Sequence, residues 1–248
     1  MQALPEPAPS VSPAKNKIAS AGEPALTGKQ VLDKVREVTS AADRKATAVM
    51  TITDRNKRVQ SRTMRMVMKG DKQMMMTFQS PADLRGVTFM TTSAENMWIY
   101  LPAQGRVRRI SGSSADQGFG GSDFSYKEMA NLSFADEDKV EKVEETELGS
   151  SAAWLLTMKN GAGAMSRLWV EQARFLPLRV EKLGADGRAT KRIDFSEFAN
   201  QGESWVPGHI EMQDVGRGSR TELQLDDLDL NTGVKDNLFT EANMKKGA

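Results

Sequence analysis

Apolar side chains return at every second position through most of this chain, and only two short stretches shift to helical spacing. The first comes early. From Thr27, which has the chemistry of an N-cap, residues Gly28 to Ser40 place Val31, Leu32, Val35 and Val38 at intervals of three and four, predicting one amphipathic helix. The period then drops to two. Ala48, Met50 and Ile52 alternate with Val49, Thr51 and Thr53, and the polar run from Asp54 to Lys57 closes a strand. A second strand carries Met64, Met66 and Met68 on one face with Arg65 and Lys69 on the other. Gly70-Asp71 turns the chain into a third, with Met74, Met76 and Phe78 on one face.

Further strands are predicted at Gly86 to Thr92, Glu95 to Leu101 and Arg106 to Ile110, with turns at Ser93-Ala94 and from Pro102 to Gly105. There the rhythm breaks. Residues Ser111 to Ser122 are rich in Gly and Ser, and a short helix is predicted from Tyr126 to Leu132. A glycine-rich excursion with its own helix is more than a connector needs, so the stretch reads as a flap or lid, with Phe119, Phe124 and Tyr126 as its candidate contact residues, the alternative being a disordered surface loop. Strands resume near Lys139 to Glu147, Ala153 to Lys159, Met165 to Glu171, Leu178 to Leu183, Lys191 to Phe198, Trp205 to Asp214 and Arg220 to Leu230. In the last, Leu223 and Leu225 have one parity and Leu228 and Leu230 the other. A bulge near Asp226-Asp227 would let both pairs face inward.

The expected architecture is one mainly-β domain from residue 26 to the end. Residues 1 to 25, with Pro5, Pro7, Pro9, Pro13 and Pro24 among Ala, Ser and Lys, read as a disordered leader of the kind that follows a removed secretory signal. A series of antiparallel strands with few helices fits a sandwich, a closed barrel or a curved open sheet, and periodicity does not choose among them.

Composition narrows the chemistry. The chain has no cysteine and one histidine, His209, which removes disulfides, thiolate ligands and imidazole clusters. With 34 basic and 33 acidic residues the net charge is +1, so nothing draws the chain to nucleic acid. No window approaches the roughly 18 consecutive apolar residues of a membrane-spanning helix. Methionine stands out at 15 residues, and many lie in strands, where flexible thioethers adapt to irregular apolar partners. Asp226, Asp227 and Asp229 lack the Gly and terminal Glu of a calcium loop, and no Lys-Ser/Thr pair follows Gly118 to Gly121 to make a phosphate cradle. No metal and no cofactor is expected, and no catalytic residue is assigned.

Pro81 to Met90 (Pro-Ala-Asp-Leu-Arg-Gly-Val-Thr-Phe-Met), Asn96 to Pro102 (Asn-Met-Trp-Ile-Tyr-Leu-Pro), Gly105 to Ile110, Gly120 to Tyr126 and Trp205-Val206-Pro207 together resemble the outer-membrane lipoprotein-sorting proteins of the LolA/LolB-like superfamily. Members commonly have Met where Gly120 stands. The resemblance implies an open, incomplete antiparallel β-barrel, of about eleven strands here, with helices over its concave face and an apolar hollow for acyl chains. It also implies a periplasmic carrier, not an enzyme, that takes acyl chains of lipoproteins or other envelope lipids from an inner-membrane transporter towards an outer-membrane acceptor. An envelope-stress sensor that binds a partner protein on the same fold, without moving lipid, is the alternative.

An acyl chain offers no polar group, so its site needs area, at roughly 25 cal/mol per Å² removed from water. Met50, Ile52, Met64, Met66, Met74, Met76 and Phe78, with Phe89, Met97 and Ile99, are the candidate lining. Parity leaves open whether Trp98 and Tyr100, on the opposite face of their strand, line the hollow instead. Arg106, Arg108 and Arg109 are the candidates for a headgroup or partner contact, since a guanidinium presents a planar, bidentate fork; the alternative is a solvated strand face paired with nearby carboxylates.

Overall fold

In a computed structural model that describes residues 26–93, 95–131 and 139–247, thirteen strands form one antiparallel sheet that does not close into a barrel. The leader, Ala94 and Leu132 lie outside the described residues. Strands β1 (Asp43–Thr53), β2 (Val59–Lys69), β3 (Gln73–Ser80), β4 (Thr88–Ser93), β5 (Asn96–Leu101) and β6 (Arg106–Ile110) run as a meander away from the centre. Strands β7 (Lys139–Leu148), β8 (Ser151–Lys159), β9 (Met165–Glu171), β10 (Pro177–Leu183), β11 (Ala189–Gln201), β12 (Ser204–Asp214) and β13 (Ser219–Leu230) run back towards it. The halves join where β13 pairs with β1, leaving β6 and β7 as edges. Each of the thirteen falls on a segment expected from the alternation, against the roughly eleven that the resemblance implies.

The seam contains the expected bulge. Lys45 opposes Asp229 but Thr47 opposes Asp226, so β13 spends one extra residue there, and Asp227 takes a φ of 51°. The switch of parity lets Leu225 and Leu228 pack against the same core.

The inner face carries that core and, beyond the partly buried Ile193 and Val180, a second cluster. Across the first half Ile99 opposes Phe89, Phe89 opposes Met76, and Met76 opposes Met66. Across the seam Met50 opposes Leu223, which opposes Ile210, which opposes Phe195. The second half continues through Ile193, Val180, Leu168 and Leu156. Cross-strand neighbours share a face, so each step extends the same apolar surface.

Three helices cover the two faces. Helix α1 (Gly28–Thr39) begins with a capping box between Thr27 and Gln30 and buries Val31, Leu32 and Val35 against Leu156, Met158, Leu168 and Val170. It lies across the second half, with Gly28 against Val140 of β7 and the Ser40 carbonyl accepting a hydrogen bond from Ser204 of β12. Helix α2 (Tyr126–Ala130), capped by Ser125 and Glu128, covers the inner face of the first half. The C-terminal helix α3 (Glu241–Lys246) lies on the outer face, where Met244 and Phe239 join Val67, Met75 and Met90.

Candidate functional site

The connection from β6 to β7 is the segment that organises the inner face. Its residues 111–131 turn through short 3-10 stretches into α2 and sit inside the curved sheet. Phe119, Phe124 and Met129 are at most 1% exposed. Phe119 lies 5.5 Å from Phe78, 5.4 Å from Phe89 and 5.5 Å from Tyr126, ring centre to ring centre, and Tyr126 is 5.5 Å from Phe89. The candidate lid residues thus meet the candidate lining residues directly.

At its other end the lid is held by polar contacts. Glu128, with its side chain 10% exposed, pairs with Lys191 at 2.7 Å and Lys182 at 3.3 Å, and accepts the Ser125 amide. Burial pushes the Glu128 carboxyl up, but the two lysines and the amide outweigh it and hold it below the ordinary carboxylate value. Asp123, buried, accepts hydroxyl hydrogen bonds from Ser219 and Thr221 of β13, while its carbonyl accepts one from Lys191. Phe119 touches β4 and Glu128 touches β10, strands seven spacings apart, about 33 Å along the sheet. A segment of ten residues folded into turns spans that only because the sheet curls around it.

The structure brings most of the candidate lining together. Met50, Ile52, Met64, Met66, Met74, Met76, Phe78, Phe89 and Met97 belong to one buried cluster, and Ile99 packs against it. Nine of its 21 buried members are methionines, so the unusual Met count is an inner-face property. Trp98 and Tyr100 fall on the outer face with Met75 and Met90. The three arginines of β6 separate as well. Arg106 and Arg108 oppose Leu101 and Ile99, on the inner side, whereas Arg109 opposes Trp98 and donates to Asn96 at 3.0 Å. A single headgroup cluster at Arg106, Arg108 and Arg109 is therefore not what the strand builds.

Two hollows remain beside the lid. One, of about 70 Å³, is lined by Arg44, Ala48, Met66, Met76, Leu223 and Leu225 and closed by Met129 of α2. A ligand pocket is usually ~300–1,000 Å³, so this one admits a whole acyl chain only if the lid withdraws. The other, of about 470 Å³, lies between α2 and strands β8 to β11, with Met158, Val180 and Ile193 beneath and Lys127, Glu128 and Lys182 at its rim. Phe195 lines both.

Several of these residues carry little signal in the sequence. Arg44 lies two positions before Ala46 on β1, and its parity alone puts it on the inner face; a charge at the start of a strand reads as solvated unless that parity is followed back. Trp205 and Pro207, which line the smaller hollow, stood in a motif of the resemblance without a role. The Glu128 and Asp123 ties join residues 63 and 98 positions apart, which no local pattern signals.

A family model described as an uncharacterized protein matches residues 70–246. No curated protein matches the chain. Among solved structures, a domain described as an outer membrane lipoprotein-sorting protein, from Vibrio parahaemolyticus, superposes with a TM-score of 0.77 at 22% identity, covering 88% of this chain and 96% of that one. A DUF1329 family protein from Desulfovibrio piger gives 0.78 at 24%, covering 86% and 96%. A LolA superfamily protein from Nitrosomonas europaea gives 0.74 at 19%, covering 88% and 99%. At these identities the likeness establishes the fold.

Proposed function

The chain belongs to the family of uncharacterized proteins whose model spans residues 70–246, and from that membership and its lipoprotein-sorting fold we propose that it is a non-enzymatic acyl-chain carrier of the bacterial periplasm. It shields tails of lipoproteins or other envelope lipids between an inner-membrane transporter and the outer membrane. The observation that carries this reading is the methionine-rich inner face from β5 across the seam to β11, under a lid whose far end is tied by polar side chains.

The energetics fit an exchange. A palmitoyl tail of 14 methylenes gains roughly 11 kcal/mol on leaving water, at ~0.8 kcal/mol per methylene, before association costs of about 4–15 kcal/mol. Phe119, Phe124 and Met129 occupy the same apolar surface, so the tail replaces lid contacts and does not merely add to an empty site. Binding is then set by the balance between burying the tail and displacing the lid.

The test is native purification from a bacterial host, extraction with organic solvent and mass spectrometry, followed by titration of the stripped protein with a fluorescent fatty acid and a vesicle-to-vesicle transfer assay. Co-purified lipid, saturable uptake and transfer are expected. Absence of both lipid and uptake overturns the proposal, and uptake without transfer overturns the carrier part of it.

A further inference from the structure

Arg44 is the one charged side chain that the inner-face ladder carries into the smaller hollow from β1. Its cross-strand partners are Met68 on β2 and Leu230 on β13, and Ala46 and Ala48 follow it on the same face. One terminal nitrogen of the guanidinium donates to the Thr39 carbonyl at the end of α1. The Nε–H is buried and has no hydrogen-bond partner among the described residues. Burial disfavours the charged form, and the carboxylate of Asp71, which also lines the hollow, works against that. Buried donors are nearly always satisfied, so a guanidinium in the wall of the hollow, fixed by a backbone carbonyl and with its Nε–H unpartnered in the closed form, has a donor to offer an acceptor brought in as the lid withdraws.

We propose that Arg44 anchors the head of the cargo, and that the cargo is an acidic lipid: a carboxylate or phosphate monoester accepts from Nε–H and the remaining guanidinium N–H groups. The tail then runs past Met66 and Met76 into the space vacated by Met129 as the lid withdraws. This rests on the acyl-carrier reading above. It adds selection by charge, which an apolar hollow alone does not supply, and it moves the head from the mouth at β6 to the seam side of the barrel.

The delipidated full-length chain is titrated with palmitate, methyl palmitate and 1-palmitoyl-lysophosphatidate below their aggregation limits, with binding read by calorimetry. The wild type is expected to bind at least one of the two acidic lipids about tenfold or more tighter than the ester, and whichever acid is tighter identifies the head as carboxylate or phosphate. Arg44→Gln should remove the preference, so that acids and ester bind alike, and Arg44→Lys should keep part of it. Equal wild-type binding of acid and ester overturns the inference even if Arg44→Gln fails to fold, as does an Arg44→Gln protein that keeps the preference. Wild-type protein that binds none of the three overturns the carrier reading, and this inference with it.

Discussion

Replacing Phe119 with Ala separates a lid from a piece of fixed core. The ring is 1% exposed and touches three aromatic partners, Phe78, Phe89 and Tyr126, at 5.4–5.5 Å. Truncating a buried Phe costs about 3–5 kcal/mol, of which each aromatic contact accounts for roughly 0.5–1.5 kcal/mol beyond its area. Phe119 lies in the β6–β7 connection, so the loss falls on closing the segment and leaves the strand ladders intact. If the closed lid loses about 3 kcal/mol, the open form gains roughly two orders of magnitude in relative population. A tail that binds the open form then binds up to that much more tightly, because it no longer works against a closed lid. Fluorescent fatty-acid titration measures the affinity, and native-state hydrogen exchange at the amides of residues 122–129 measures the opening. Phe119→Ala should raise both, with β1 and β13 amides still protected. An affinity unchanged within twofold, with protection falling equally across sheet and lid, refutes the reasoning and makes the segment ordinary core.

The Glu128 tie predicts a pH response of known sign. Its folded carboxyl lies below its ordinary 4.5, so its contribution is fully present above that value and is lost as pH falls through the lower folded value. Lid amides should therefore lose protection relative to their intrinsic exchange rates as pH falls below 4.5 in the wild type, whereas Glu128→Gln should show that loss already at pH 7. Asp43, 3% exposed, accepts from the Thr232 amide and hydroxyl and from the Gly233 and Val234 amides at 2.7–3.1 Å. Burial pushes its carboxyl up, yet these bonds hold it below 3.8, so Asp43→Asn should cost roughly 2–3 kcal/mol in urea unfolding at pH 7 and much less near pH 2. At Gly208 an added Cβ would stand 2.8 Å from the Glu197 carbonyl oxygen, so Gly208→Ala should lose about 1–3 kcal/mol and lower Tm by several degrees in a thermal melt.

How much of the site was readable along the chain depends on the distance over which each signal acts. The alternation at Met64, Met66 and Met68 and at Met74, Met76 and Phe78 assigns faces correctly, because a strand puts every second residue on one side wherever it lies. The same rule would have set Trp98 and Tyr100 opposite Met97 and Ile99. It does not say which of the two faces is inner, since Met75 and Met90 are as deeply buried under α3 as their neighbours are under the lid. For the arginines of β6, adjacency in sequence suggested one patch, and the two-residue period divides it.

Local chemistry along the chain determined the strands, the α1 cap at Thr27, the bulge at Asp227 and the lid's place between β6 and β7, because each rests on φ and ψ preferences and on residues within a few positions of one another. Only the tertiary structure decided that β13 closes against β1, that the lid fills the methionine face, and that Arg44 meets an apolar space. Those outcomes rest on contacts between residues tens to nearly two hundred positions apart, whose favourable burial arises only after the sheet has curled, and no periodicity along the chain encodes that curl.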